Sequence, residues 1–419
     1  MSFNKKFLWG EVPDGWRIEK LSNLTNYISR GKQPKYVEKS DIKVLNQKAI
    51  RWHSIEQEHL KYHDPNAKVD QRHFIQKDDV VLNSTGTGTL GRVYHFKESP
   101  NQMFADSHVT IIRTDKEKLN PRFFMYQISD KSYQDFILSS YISGSTGQVE
   151  FNKSKVQELL IQLPPIEEQN AIVSVLSSLD DKIELNNRIN KNLEEMAQAI
   201  FKSWFVDFEP FRDGEFVESE LGMIPKGWEV ISLGDFVEIR TRSIDPQKYP
   251  DQTFEHYSIP AFDNAKLPVF EKGSEIKSNK YMIDKNSILV SKLNPSQKRV
   301  WYPVCLTDGA ICSTEFINYR AKEAKFTDFL YSLVNSYRFS EFMIEHATGS
   351  TNSRQRVAPK QTLEFKFPIP CESILLSFSK LVKPIYQQIN KNLLESKTLK
   401  ILRDTLLPKL MSGEIRVPL

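Results

Sequence analysis

The chain has 419 residues, of which 39% are hydrophobic and 26% charged, with a formal net charge of +4. That length holds two to four domains, each able to bury its own core. No apolar run approaches the roughly 18 residues that a membrane helix needs, and Met1–Gly10 carries a basic pair with no apolar stretch behind it, which argues against a signal peptide.

Three cysteines, Cys305, Cys312 and Cys371, form an odd set without C-x-x-C spacing. They argue against a disulfide or zinc framework and predict a reducing, cytoplasmic setting. Charge is unevenly spread: residues 1–164 hold 24 basic against 19 acidic residues, whereas residues 165–220 hold 5 against 13. Mild basicity permits nucleic-acid contact. The acidic middle repels phosphate and reads as a spacer that contacts protein.

In chain order, a first mixed block opens at Val12-Pro13-Asp14-Gly15-Trp16 and runs to about residue 160. Asp79-Val80-Val81-Leu82 and Val109-Thr110-Ile111-Ile112 are its β-rich runs, and Phe123–Ile128 predicts a short helix. From Ile166 to Phe205 there is neither Pro nor Gly, and Ile172, Leu176, Leu179, Ile183, Leu193, Met196, Ile200 and Trp204 recur in steps of three and four. This predicts one helix of about 40 residues, up to roughly 60 Å long.

A second block opens at Ile224-Pro225-Lys226-Gly227-Trp228, with a strand predicted at Ser287-Ile288-Leu289-Val290 and a short helix at Phe329–Leu333. A second long stripe follows, from Ile374 through Phe378, Leu381, Ile385, Ile389, Leu393, Leu399 and Leu402 to Leu406. Pro384 predicts a kink or a late start there. Glycine near Gly214 and Gly413 predicts similar C-caps for the two helices.

The halves repeat. The Gly-Trp openings recur at an offset of 212, Gly144-Ser145-Thr146 returns as Gly349-Ser350-Thr351 at 205, and Ile189-Asn190-Lys191-Asn192-Leu193 returns intact at Ile389–Leu393, at 200. Each long stripe needs a partner, and the other stripe provides one as an antiparallel coiled coil. Asn186 and Asn190 interrupt the first stripe, either as solvated positions or as a polar pair that fixes register. The predicted fold is α+β: two tandem domains joined by two long helices in an antiparallel coiled coil, a pseudo-two-fold repeat. The divisions are 1–163, 164–210, 211–370 and 371–419.

Base edges are read by Arg, Lys, Asn and Gln, with Ser and Thr assisting. One strand-connecting loop in each block supplies such groups: Asn83, Ser84, Thr85, Thr87 and Arg92 in the first, Lys292, Asn294, Ser296, Gln297, Lys298 and Arg299 in the second. The Gly-Ser-Thr loops add Ser145, Thr146 and Gln148, against Ser350, Thr351, Asn352, Arg354, Gln355 and Arg356. Early polar stretches add Arg30, Lys32, Gln33, Asn46, Gln47, Lys48 and Arg51, with Arg240 and Arg242 in the second half. Recurrence of polar loops at matched places favours a DNA interface over ordinary solvated surface.

Two tempting motifs are decoys. Gly86-Thr87-Gly88-Thr89-Leu90-Gly91-Arg92 has the glycine spacing of a phosphate-binding loop but lacks its Lys-Ser/Thr end. His59 and His63 have metal-ligand spacing but lack the glutamate after the first histidine. No metal site and no catalytic residues are predicted.

Taken together, the Gly-Trp openings, the Leu163-Pro164-Pro165-Ile166-Glu167-Glu168-Gln169 start of the first helix, its Phe201-Lys202-Ser203-Trp204-Phe205-Val206-Asp207-Phe208-Glu209-Pro210 close and the Leu406-Leu407-Pro408-Lys409-Leu410-Met411-Ser412-Gly413-Glu414 end resemble the DNA-specificity subunits of type I restriction-modification systems. The second helix lacks the Pro-Pro and Glu-Gln of the first. The resemblance implies two target-recognition domains, each reading half of a split target on double-stranded DNA. It also implies two methyltransferase subunits and a motor-nuclease subunit as partners, with S-adenosylmethionine, ATP and magnesium held there and none by this chain. Pro164, Pro165, Glu168, Gln169, Phe201, Trp204, Phe205, Phe208, Leu407 and Pro408 are the candidate docking residues, the aromatics expected to be exposed. A target spacer set by helix length is expected too. The rival readings are a coiled-coil adaptor that never touches DNA and an enzyme built on the Gly86 loop.

Overall fold

Val80, Val81 and Leu82 are all buried, on a strand whose side chains alternate between two cores. In the computed structural model, which describes residues 6–86, 88–141, 150–349 and 354–418, Val80 and Leu82 join one apolar cluster with Ile28 and Ile112, while Val81 joins another with Val109 and Ile111. Period-two alternation thus places this sheet between two layers. The same sorting recurs in the second half, where Ile288 and Val290 face one cluster and Leu289 the other.

The chain divides into two units, Met1–Asp181 with Leu399–Leu419, and Lys182–Thr398. This differs from the boundaries expected from sequence, because the helices do not stand apart. Ile172, Leu176, Leu407, Leu410 and Met411 share the core of the first unit. Ala197, Phe201, Phe205, Phe378, Val382 and Tyr386 share that of the second. Each block therefore claims the part of both helices that completes its core.

The first unit has an antiparallel sheet in the order Val93–His95, Val80–Asn83, Val109–Thr114, Thr25–Arg30. A second sheet pairs Met103–Ala105 in parallel with Lys43–Leu45, followed by Lys61–His63 and Tyr36–Val37. Arg17–Lys20 pairs with Leu160–Leu163 and ties the start of the block to its end. The second unit repeats the plan. Val237–Ile239, Phe316–Ala321, Ser287–Ser291 and Val300–Trp301 form the antiparallel sheet. Thr253–Tyr257 pairs in parallel with Ala310–Ser313, and Glu229–Ser232 closes on Lys366–Ile369. Both predicted short helices are present, within Pro121–Ser129 and Thr327–Val334, each followed by another (Lys131–Ser140 and Tyr337–Glu345).

The central helix spans Ile166–Phe205, with Glu167 and Glu168 favourably placed at its positive N-terminal end. The C-terminal helix spans Glu372–Ser412 and continues through Pro384. That proline is exposed, so the carbonyl it leaves without an N–H partner, on exposed Lys380, is open to water. Within the second unit the helices run antiparallel: Asn186 meets Ser396 and Glu395, while Asn190 meets Ile389.

Their ends differ from expectation. Gly413 is left-handed (φ 76°) just past the last turn, and the Ile415 N–H donates to the Lys409 carbonyl, a glycine C-cap. The central helix instead stops at Phe205, and left-handed Phe208 (φ 54°) turns the chain into a short 3-10 segment, Glu209–Phe211, ahead of Gly214. The Phe205–Trp228 and Phe208–Trp228 ring contacts hold this turn.

Candidate nucleic-acid interface

Loops far apart in sequence meet in each unit through the same backbone bonds. In the first, Asn83 N–H donates to the Arg92 carbonyl, Ser84 N–H to His108 and Phe151 N–H to Ser84. In the second, Ser291 N–H donates to Arg299, Lys292 N–H to Glu315 and Val357 N–H to Lys292. The strand-connecting loop is therefore seated against the residues that follow the Gly-Ser-Thr loop. Isolated bridges Thr85–Glu150 and Leu293–Arg356 extend the junction, and Asn294 N–H donates to the Gln355 carbonyl at 2.8 Å.

The early polar stretches of the first unit join the same place. Asn83 Nδ2 donates to the Gln47 carbonyl (2.9 Å), and the Thr85 hydroxyl donates to Gln47 Oε1 (3.0 Å) and contacts His108 Nδ1 (2.8 Å). Ser107 Oγ donates to Gln33 Oε1, and the Arg30 guanidinium pairs with Glu150 at 2.7 Å. Gly31 is obligatory here, since a Cβ would lie 1.9 Å from the Ala105 carbonyl oxygen. In the second unit the Arg240 guanidinium pairs with Glu238, and the Arg242 backbone carbonyl accepts from Met282 N–H. No hydrogen bond ties either to the loop junction among the described residues.

Several predicted contact residues are spent on this architecture. Asn83 and Ser84 are fully buried, the Ser84 hydroxyl lying 2.5 Å from that of Thr110. Asn46 is buried and caps its own turn through Lys48 N–H. Arg51 donates to the Lys48 carbonyl and pairs with Glu56. The Arg92 guanidinium donates to the carbonyls of Gly88 (3.0 Å) and Ile50 (3.4 Å). Arg299 makes a two-pronged pair with Asp263 at 2.6 and 2.9 Å and also donates to Gln297, while Lys298 donates to the Asn335 carbonyl. Arg356 is forked onto Glu315 at 3.0 and 3.2 Å.

Left with side chains unpaired among the described residues are Lys32, Lys48, Arg242, Lys292 and Arg354, and Ser296 is exposed beside them in sequence. Thr87, Ser145, Thr146, Gln148, Ser350, Thr351 and Asn352 lie outside the described residues. Sequence reasoning did not single out the carboxylates Glu150, Asp263 and Glu315, which preload the arginines. No local pattern marks an acid whose partner comes from another strand.

The decoys resolve structurally. The Gly86 loop joins two antiparallel strands, Val80–Asn83 and Val93–His95, so no helix N-terminus follows to hold a phosphate. Arg92, in the place of the phosphate-binding lysine, turns back into the loop. His63 accepts from Lys35 N–H at 2.9 Å and lies 3.0 Å from the Ala67 carbonyl, so it is a core residue rather than a partner of His59.

The docking assignment needs correction as well. Phe201 and Phe205 are each only 3% exposed, and Trp204 and Phe208 pack against the same cluster. Phe205 lies 4.9 Å from Phe378 and 5.0 Å from Phe329, ring centre to ring centre. These aromatics fill the second unit's core because Phe378, Phe329 and Trp228 surround them. Glu168, 2% exposed, accepts from Trp16 Nε1 (2.9 Å) and from both Arg416 nitrogens (2.5 and 2.8 Å). Gln169 donates to the Lys118 and Pro164 carbonyls and accepts from Asn120 N–H. Pro164 and Leu407 are buried and Pro408 is half-buried, which leaves Pro165 exposed.

Two like-built units each gather polar loops into one junction that carries unpaired cations, an arrangement suited to a polyanion. The profile of the type I restriction modification DNA specificity domain matches residues 13–195 and 225–395, and the chain belongs to that family. It is 28% identical over 461 residues to the type I restriction enzyme MjaIX specificity subunit of Methanocaldococcus jannaschii, covering 100% of this chain and 99% of that protein. It is 26% identical over 412 residues to the HindI specificity subunit of Haemophilus influenzae, covering 81% and 87%. The crystal structure of a type I restriction-modification S subunit from M. genitalium superposes with a TM-score of 0.57 at 16% identity, covering 96% of this chain and 98% of that one, and shares its fold. Among the described residues no helix is long and apolar enough to cross a membrane.

Proposed function

We infer that this protein is the sequence-specific DNA-binding subunit of a type I restriction-modification assembly, reading a two-part, asymmetric target and directing methyltransferase and restriction subunits to it. The observation that carries the reading is the junction built twice from matching backbone bonds but furnished differently: glycine-rich in one unit, Lys- and Arg-rich in the other. Each unit reads one half-site. Lys32, Gln33 and Lys48 act in the first unit and Arg242, Lys292, Ser296 and Arg354 in the second, with the Thr87 and Gly-Ser-Thr positions as further contacts. Arg30, Arg51, Arg92, Arg299 and Arg356 hold the loops in shape.

The chain itself is non-catalytic and works in the cytoplasm. S-adenosylmethionine, ATP and magnesium belong to the partners, two methyltransferase subunits and a motor-nuclease. The exposed apolar side chains Leu185, Met196, Leu381, Ile401 and Leu402 on the long helices offer the partners docking area in place of the buried aromatics.

Methylome sequencing of cells carrying wild-type, Lys32→Ala/Lys48→Ala or Lys292→Ala/Arg354→Ala protein tests the assignment. Each double variant should weaken or relax modification at one half of the motif and spare the other. An unchanged motif and modification level in both would refute the residue assignment.

A further inference from the structure

The second unit encloses a half-open cavity of about 510 Å³ that the DNA-reading loops do not use. It lies between the central helix, the C-terminal helix and the end of the short helix Ile259–Ala265. Its volume falls within the roughly 300–1,000 Å³ typical of small-molecule sites. Glu194, Tyr302, Tyr331, Tyr386, Trp301 and Phe262 dominate its wall. The three tyrosine rings pack on one another, with centres 5.3, 4.8 and 6.1 Å apart.

The charges at the rim are mostly spoken for. Asp263 is held by Arg299 and Glu195 by Lys191. Glu194 differs. Its carboxylate accepts from two neutral donors, the Tyr331 hydroxyl (3.1 Å) and Asn335 Nδ2, and it forms no ion pair among the described residues. Lys266 and Lys298 are near enough to be felt electrostatically, yet burial still raises its pKa. A carboxylate withdrawn from water without a cation is costly. The tyrosine and tryptophan faces beside it carry the negative quadrupole that attracts cations. The wall already shows this attraction, for Lys266 Nζ sits 5.4 Å from the centre of the Phe262 ring.

We propose that this cavity binds a small protonated organic amine, its ammonium group paired with Glu194 and its alkyl body against the tyrosine and tryptophan rings. Such a ligand supplies the direct ion pair that neither Lys266 nor Lys298 makes with Glu194, and it covers the apolar wall. The site uses none of the unpaired cations assigned to DNA, although Asp263 on its rim also braces Arg299. Its failure would leave the DNA-reading assignment untouched.

Titration calorimetry on the full-length chain without DNA tests it, with cadaverine as the probe and 1-pentanol as its uncharged control. Saturable one-site binding of cadaverine is expected, with none for 1-pentanol. Glu194→Gln, which keeps the size and can keep both hydrogen bonds, should weaken cadaverine by about tenfold or more. Should that variant fail to fold, Asn264→Trp, which blocks the exposed mouth, should abolish binding while thermal melting stays as in the wild type. Equal binding by Glu194→Gln and wild type, equal binding of 1-pentanol, a well-folded Asn264→Trp that binds normally, or no saturable binding at all would overturn the proposal.

Discussion

A guanidinium in a polar loop can face a ligand or brace the loop itself, and the five arginines that brace the candidate contact loops do so differently. Arg92 bonds only to carbonyls, whereas Arg30, Arg51, Arg299 and Arg356 are neutralised by Glu150, Glu56, Asp263 and Glu315. Asp263→Asn should therefore release a positive charge at the surface. Specific DNA affinity should rise at low salt, and the slope of log affinity against log salt should steepen by roughly one; filter binding across a salt series measures both. Arg92→Ala should act chiefly through shape, lowering unit 1 stability by about 1 kcal/mol with no change in that slope.

Histidines give the first unit a pH signature. Burial pushes His53 down to about 4, opposed by the nearby Asp180 charge, and His95 down to about 4, opposed by its bond to Asp78. Both are protonated more readily in the unfolded chain, with an ordinary pKa near 6.5. Their stabilisation is thus complete above about 6.5 and disappears as pH falls toward 4, by up to about 3 kcal/mol each. Urea unfolding of His95→Gln should show a smaller loss between pH 7 and pH 5 than wild type. Residue types and loop positions were legible in the sequence. Which arginine braces and which reads was not, because Asp263, Glu315 and Glu150 reach them only after the sheets form.

At the scale of elements, the periodicity of both long helices was readable because an unbroken stripe of threes and fours has one regular solution. Their ends were not, since Phe208 turns left-handed under ring contacts with Phe216 and Trp228 rather than under a glycine. The exposed-aromatic reading failed for a related reason: Phe201 and Phe205 look like surface residues of a solitary helix until Phe329 and Phe378 arrive from elsewhere. Asn186 shows the converse. It is fully buried, and its amide donates toward Glu395 (2.9 Å), Ser396 (3.2 Å) and the Asn392 carbonyl (3.4 Å), while Asn392 donates to Asn190 (2.8 Å). The register-fixing alternative is the one the structure adopts. Asn186→Ala should cost about 1–3 kcal/mol by stranding buried polar partners, as chemical denaturation would show. Asn186→Leu should cost less than Asn186→Ala in stability while loosening the pairing register, visible as broadened hydrogen-exchange behaviour in both helices. Gly413→Ala should destabilise the first unit by about 1 kcal/mol or more, because its left-handed backbone disfavours a side chain and the new Cβ would lie 2.4 Å from Pro13 Cγ.

Across the whole molecule the frame repeats while the chemistry at matched positions does not. Trp16 and Trp228 open matched strands, and the strand registers equate Glu168 with Ile374 and Gln169 with Leu375. The first unit closes its junction with the Glu168–Arg416 ion pair beneath Trp16, and the second with a cluster around Phe205, Phe211 and Trp228. The loop junctions diverge in the same way, Ser84 standing where Lys292 stands and Gly91 where Lys298 stands, while Arg92 and Arg299 match. On the proposed reading, unlike readers on a common frame call for unlike half-sites, so a palindromic duplex built from either half-site alone should bind poorly. Two linked readers also make the second engagement effectively intramolecular, and destroying one half-site should cost about 100-fold or more in affinity. Because the second unit carries more of the unpaired cations, loss of its half-site should leave binding with the shallower salt dependence, whereas loss of the first unit's half-site should leave it steeper. Competition binding with the two single-half-site duplexes across a salt series checks both statements. Equal salt slopes for the two duplexes would show that the charge asymmetry between the units does not reach the DNA.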